Sequence, residues 1–161
     1  MKLFRATQPA LIIQFSADER RMFADVLLEY PAVPEAHQQL SRSRLSPNDD
    51  EHQQLLDEAL AAQRAELREK VQLWLKTPKR FRRVKGGFNF ALLRTDTAWL
   101  LQVLNDVRVG SWLRLGAPDP LPEIDELFGQ PRERFQHWVL MEVAGRFQMQ
   151  LLHILQSGSI A

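Results

Sequence analysis

The chain contains no cysteine, and this absence removes several kinds of chemistry at once. Disulfides, thiol nucleophiles and thiolate metal sites are all excluded, since each needs a cysteine sulfur. A chain without cysteine also fits a reducing compartment, where disulfides are rare. Covalent cross-links therefore play no part in the fold, which must be held by its core.

Long apolar runs are missing as well. No stretch reaches the roughly 18 apolar residues that a membrane-spanning helix needs. The chain begins MKLFRATQPALIIQF, in which an Arg, a Gln and a Pro precede the first apolar run. The hydrophobic region of a signal peptide is therefore absent from this stretch. We therefore predict a cytoplasmic protein that does not bind membranes.

Charge of one sign is not in excess, because 21 Lys and Arg stand against 20 Asp and Glu. A net charge of +1 gives no overall field that would select a nucleic acid or a membrane surface. The length of 161 residues predicts one domain spanning 1–161, large enough to bury a core unaided.

Apolar periodicity predicts the fold class. Residues 1–15 resemble a strand pair, and Ser16 with Glu19 has the pattern of a capping box before a helix that ends at Pro31. Three further helical stretches follow, and residues 88–94 fit either a third strand or the start of a helix. We predict a mainly α protein of about four substantial helices with a small antiparallel β element near the N-terminus, which is α+β by strict classification.

Three stretches are predicted to lie outside regular structure. Residues 31–50 are rich in Pro, Ser, Gln and Asp and are predicted to form a mobile loop. Residues 76–87 are predicted to form a basic loop, and residues 157–161 a frayed tail.

Residues 100–116, LLQVLNDVRVGSWLRLG, are apolar on most sides of a helix, which predicts a central position. Asn105, Asp106 and Arg108 are then expected to be paired groups of the core, because removing one partner of a buried ion pair costs about 3–5 kcal/mol. The small Gly110 is expected to let another helix approach closely. The alternative is a partly exposed polar site, in which Asp106 and Arg108 would serve an enzyme.

The same stretch carries a resemblance to a known family. The pattern LNDVRV…RLG resembles the signature of DUF2017, a bacterial family of unknown function best known from actinobacteria. The residues that match are Leu104, Asn105, Asp106, Arg108, Val109, Arg114, Leu115 and Gly116. The family has no assigned reaction, so the resemblance supplies no catalytic residue. Its genes often stand beside that of the Clp protease adaptor, which implies a link to regulated proteolysis or stress response.

Motifs of catalysis and metal binding do not occur in the sequence. His37, His52, His137 and His153 make neither His-x-x-x-His nor His-Glu-x-x-His spacing. No Gly-x-Ser-x-Gly, Walker-type loop or dinucleotide glycine pattern is present. We therefore predict a non-enzymatic protein with no cofactor, no metal and no catalytic residue.

The strongest charge feature is a basic cluster around Phe81. Six basic residues lie within ten, with no acid among them: Lys76, Lys79, Arg80, Arg82, Arg83 and Lys85. Such a cluster can neutralise phosphates while the aromatic ring stacks on a base. It can equally face acidic segments of the protein or lie in solvent, and these alternatives stay open.

The sequence thus favours a protein-interaction or regulatory protein with an unknown partner, and a homodimer is one arrangement it allows. The alternative is a transcription-related regulator that contacts nucleic acid through residues 76–85. The near-zero net charge weighs against a dedicated DNA-binding protein, which is usually basic overall.

Overall fold

The computed structural model describes residues 2–6, 10–34, 49–77 and 80–157. Within these residues the chain forms four strands and four long helices. They are β1 (Lys2–Ala6), β2 (Ala10–Phe15), α1 (Ala17–Leu28), α2 (Asp49–Lys76), β3 (Phe81–Val84), β4 (Gly87–Leu93), α3 (Thr97–Arg114) and α4 (Arg132–Ser157). The prediction of a mainly α protein with a small antiparallel sheet is confirmed, including its strand pair within residues 1–15.

The sheet has the order β1-β2-β4-β3, and all neighbours are antiparallel. Residues 88–93 belong to β4, so the structure selects the strand from the two alternatives. Opposite Phe88, Phe90 and Leu92 on β4 lie Phe15, Ile13 and Leu11 on β2. Because side chains alternate along a strand, these six share the face that packs on the helices.

The predicted capping box of α1 is confirmed. The Ser16 hydroxyl accepts a bond of 3.1 Å from the Glu19 amide, and the Glu19 carboxylate accepts one of 2.9 Å from the Ser16 amide. Two of the unpaired groups at the start of the helix are thereby satisfied. This fixes where α1 begins after β2.

The helix α3 is central, as its apolar circumference predicts. Val103 and Val107 are completely buried, and Leu100 and Leu104 are nearly so. The core continues through a cluster of phenylalanines, in which Phe23 lies 5.2 Å from Phe15 between ring centres. None of the helices in the described part of the chain is both long and apolar enough to cross a bilayer.

The predicted loop over 31–50 is wrong at its far end, because residues 49–50 already belong to α2. Residues 31–34 contain no helix or strand, and Ala32 among them is buried against α3. Residues 35–48 lie outside the described part of the chain. For the predicted tail, Ser157 is the last residue of α4, and 158–161 lie outside the described residues.

The prediction of a basic loop over 76–87 is also wrong. Lys76 ends α2, β3 occupies Phe81–Val84, and Gly87 begins β4. The strands form a hairpin through Lys85 and Gly86, and Gly86 has a φ of +87°, which favours glycine in such a tight turn. The stretch is strand because pairing with β4 satisfies its backbone, a reason that a short charged sequence does not display.

Candidate binding site

Asp106, at the centre of α3, binds two other parts of the chain. Asp106 Oδ1 accepts bonds from the backbone amides of Ala32 at 2.7 Å and Val33 at 3.2 Å. Its Oδ2 lies 3.4 Å from the Arg64 guanidinium of α2, which also donates to the Val33 carbonyl at 2.8 Å. Asp106 therefore ties the segment after α1 and the middle of α2 to α3.

Burial and the charges of Asp106 and Arg64 alter the pKa of the nearby Tyr30 hydroxyl. Burial raises the pKa of the Tyr30 hydroxyl, and the negative charge of Asp106 raises it further, while Arg64 acts in the opposite direction. The side chains of Asp106 and Arg64 are each 14% exposed. A carboxylate occupied by two amides and a guanidinium has little left for a substrate, which supports the structural interpretation of Asp106.

The other residues of the signature lie apart from Asp106. Arg108 is exposed and donates a bond of 3.0 Å to the Asn105 side chain one turn earlier. Arg114 lies 3.9 Å from Glu29, the residue directly after α1, and both are substantially exposed. Gly116 has a φ of +92° directly after α3, where glycine commonly ends a helix. The structure does not gather these residues into one site.

The basic cluster is divided by the fold. Arg80 turns inward, where its guanidinium lies 3.1 Å from Asp96 and 4.8 Å from the centre of the Trp74 ring. Lys70 of α2 lies 3.9 Å from the same carboxylate. Asp96 is 7% exposed and also accepts a bond of 3.0 Å from the Trp99 indole. Arg80 is thus a structural residue, and its acidic partner is Asp96, directly before α3.

Phe81 is half-buried, and one face of its ring is covered by another aromatic residue. Its ring stacks on Phe90 with 4.8 Å between centres and lies 6.0 Å from Phe15. Lys76, Arg82, Arg83 and Lys85 remain exposed, whereas Lys79 lies outside the described residues. The cationic residues on the surface are therefore fewer than the sequence cluster indicates.

A groove runs between α1, the end of α2 and the hairpin, and no pattern in the sequence predicts it. It has a volume of about 450 Å³. Its apolar floor contains Ala17, Ala24, Leu28, Leu75, Phe81 and Phe88, and its rim contains Arg20, Arg21, Lys76, Gln72 and Asp25. We call it the basic groove. The exposed Arg83 lies on the same sheet face as Phe81 and Phe88, so it adds charge beside the rim.

One arginine organises the floor of the basic groove. The Arg20 guanidinium lies 4.6 Å from the centre of the Phe88 ring and 5.4 Å from that of Phe81. A cation over an aromatic face is attracted to the ring, which orders the long side chain without removing its charge. Arg21 is 75% exposed and lies 3.6 Å from Asp18, a surface contact of little strength. Both arginines can therefore meet an anionic ligand.

A second depression, of about 390 Å³, lies between α1 and the start of α4. Met22, Val26, Leu140 and Val143 line it together with His137. Burial lowers the pKa of the His137 imidazole, and the positive charge of Arg114 adds to this, while Glu29 and Glu133 oppose it. Across the described residues, no group of three or more His, Cys, Asp or Glu is placed to hold a metal ion.

The lowered pKa of His137 predicts how its contribution to stability changes with pH. The unfolded chain takes up a proton at this histidine at higher pH than the folded chain does, so the contribution of His137 to stability falls as pH drops through this interval. We expect the His137 resonance of the folded protein to titrate at lower pH than that of the urea-unfolded chain. Proton NMR of the native protein and of His137→Gln identifies the signal. Equal midpoints in the two states would contradict the prediction.

Comparison of the chain with models of protein families, with curated proteins and with solved structures finds no match.

Proposed function

We propose that the protein is a non-enzymatic interaction protein whose basic groove binds an acidic, amphipathic segment of a partner protein. The observation that carries the proposal is the apolar floor of the groove beneath a cationic rim. Helical segments with apolar anchors on one face commonly bind in such grooves, and carboxylates beside the anchors would meet Arg20, Arg21 and Lys76. A regulatory role with a link to regulated proteolysis or stress response is part of the proposal and rests on the DUF2017 resemblance alone. A cytoplasmic location is also proposed, and it rests on the lack of cysteine and of long apolar runs.

The absence of catalysis is also a proposal, and the contacts of Asp106 support it. Its carboxylate holds two backbone amides and a guanidinium, and Asp25 is the one acid among the described residues that line the basic groove. Lone carboxylates on a surface rim lack the second titratable group that acid–base catalysis usually requires. Binding is therefore the better use of this groove.

Binding is tested with a labelled peptide that forms a helix with leucines on one face and glutamates on the others. We expect saturable binding by fluorescence anisotropy, which weakens as salt increases because the rim charges are exposed. Arg20→Glu is expected to weaken binding about tenfold, since it replaces attraction by repulsion on the rim of the groove. Circular dichroism and urea unfolding establish that the variant is folded.

A matched control is Arg146→Glu, which makes the same charge change at an exposed site on α4. It should change the affinity less than twofold at moderate salt. A peptide with the same leucines and lysines in place of the glutamates should not bind. Equal effects of the two reversals, or equal binding of the two peptides, would refute the proposed site.

Nucleic-acid binding is the second candidate, favoured by the exposed Arg82, Arg83 and Lys85 on the edge hairpin. The double reversal Arg82→Glu and Lys85→Glu tests it without changing the structural Arg80 or Arg83 beside the basic groove. If a single-stranded oligonucleotide binds with a steep dependence on salt and the double reversal abolishes this, the second candidate gains support. Binding of the acidic peptide that survives the same reversal supports the first.

A further inference from the structure

The segment that joins α3 to α4 exposes apolar and acidic side chains together. We call residues 117–131 the acidic linker, since they contain four acids and no Lys or Arg. The acids are all exposed, and they are Asp119, Glu123, Asp125 and Glu126. Leu121, Ile124 and Phe128 are 48%, 42% and 71% exposed. Grouped apolar side chains on a surface, unlike single ones, commonly mark a contact with another molecule.

The acidic linker is fixed to the helices on either side of it. The Trp112 indole donates a bond of 3.1 Å to the Pro118 carbonyl, and the Trp138 indole donates one of 3.2 Å to the Pro122 carbonyl. Leu127 is buried at the end of a short 3-10 turn. A surface held in this way has little conformational freedom left to lose when a partner binds.

The charges of the acidic linker have no cationic partner within the described part of the chain. None of the ion pairs among the described residues involves its four acids, and none involves Lys76 on the rim of the basic groove. Glu123 and Glu126 accept bonds from each other's backbone amides, which use only part of the capacity of a carboxylate. Both surfaces can therefore form ion pairs with another molecule.

The basic groove is complementary to the acidic linker in charge and in apolar content. Its apolar floor lies beneath Arg20, Arg21 and Lys76, and Asp25 is the one acid among its described lining residues. No residue of 117–131 lines this groove, because the two indole bonds hold the linker on α3 and α4 of its own chain. The linker of a second copy has no such restriction.

We propose that the acidic linker of one copy binds in the basic groove of a second copy. Phe128 supplies the apolar anchor, and the neighbouring acids meet Arg20, Arg21 and Lys76. The inference names the partner of the groove, so it rests on the proposed function. Each copy carries one groove and one linker. Two copies can therefore exchange linkers reciprocally, or the contact can repeat from copy to copy.

Sedimentation of the full chain over a range of concentrations tests the association. We expect a dissociation constant in the micromolar range or weaker, because one short segment forms less contact than a standard interface does. Phe128→Lys should raise it about tenfold or more, since it removes the anchor and adds a cation. Met149→Lys, at a 65% exposed residue of α4, is the control and should leave it unchanged. A monomer at several hundred micromolar, or equal effects of the two substitutions, would overturn the inference.

Mixing two variants tests which surfaces meet. Arg20→Glu alters only the groove and Phe128→Lys only the linker, so each variant alone should associate weakly. The mixture contains an intact groove on one chain and an intact linker on the other. It should therefore form a one-to-one complex, with circular dichroism showing that both variants are folded. A mixture that associates no more than its separate components would exclude contact between these two surfaces.

The designed acidic peptide separates this inference from the proposed function. At concentrations where the native chain is monomeric, the peptide should bind the empty groove, and at higher concentrations it should reduce association by competition. If the peptide binds but the copies do not associate, the groove takes a segment of another protein and the inference is wrong, while the proposed function stands. If neither the peptide nor a second copy binds, both are wrong.

Discussion

Asp106→Ala is expected to lower the free energy of unfolding by about 3 kcal/mol, the low end of the cost of removing one partner from a buried ion pair. The Arg64 guanidinium would keep its charge in a site where its side chain is 14% exposed. The amides of Ala32 and Val33 would also lose their acceptor. Since part of each side chain still reaches water, a larger effect is not expected.

Urea unfolding measures this as a shift in midpoint at unchanged slope. Arg108→Ala, two residues away on the same helix, is the control, because Arg108 is exposed and bonds to Asn105 alone among the described contacts. It should change stability by no more than about 0.5 kcal/mol. A loss below 1 kcal/mol for Asp106→Ala would show that the segment after α1 is held by other contacts.

Asp106→Asn separates the two roles of this carboxylate. The amide oxygen can still accept from the backbone of Ala32 and Val33, but it carries no charge opposite Arg64. We expect Asp106→Asn to lower the free energy of unfolding, but by less than Asp106→Ala does. A loss equal to that of Asp106→Ala would assign the whole effect to the ion pair.

Local patterns in the sequence predict much of this fold. The Ser16–Glu19 capping box and the apolar repeat behind it place α1, and the apolar circumference of residues 100–116 places α3 at the centre. Both succeed because the information lies within one or two turns of the chain. The pairing of Asp106 could be expected from its position on such a helix, although its partners could not be named.

The parts that the sequence misses depend on distant contacts. Asp96 directly precedes α3, yet its side chain makes no capping bond and instead accepts bonds from Trp99 and Arg80. The basic groove exists only because α1 and the end of α2 border the same edge of the sheet. In the sequence, Arg20 and Arg21 indicate only a charged face of a helix and do not predict a groove. Since no local pattern encodes how two helices diverge, the groove becomes visible only in the assembled fold.

Gly110→Ala is expected to destabilise the protein by about 1–3 kcal/mol, although alanine favours helices over glycine by about 1 kcal/mol. An added Cβ would collide with the backbone carbonyl and the side chain of Ala32. The small residue was expected to admit another helix, but the close neighbour is the segment after α1. Backbone there cannot move without breaking its bonds to Asp106, so the collision outweighs the gain in helix propensity.

Gly145→Ala in α4 provides the matched control, with the opposite sign. A Cβ at this position would meet only the Arg108 side chain, whose Cδ lies 3.4 Å away and can move because Arg108 is exposed. We expect stabilisation by about 0.5–1 kcal/mol in the same urea experiment. Gly110→Ala and Asp106→Ala both release the segment at Ala32, so the double variant should lose less stability than the sum of the single losses. Strict additivity, or a stabilised Gly110→Ala, would mean that α3 does not hold this segment.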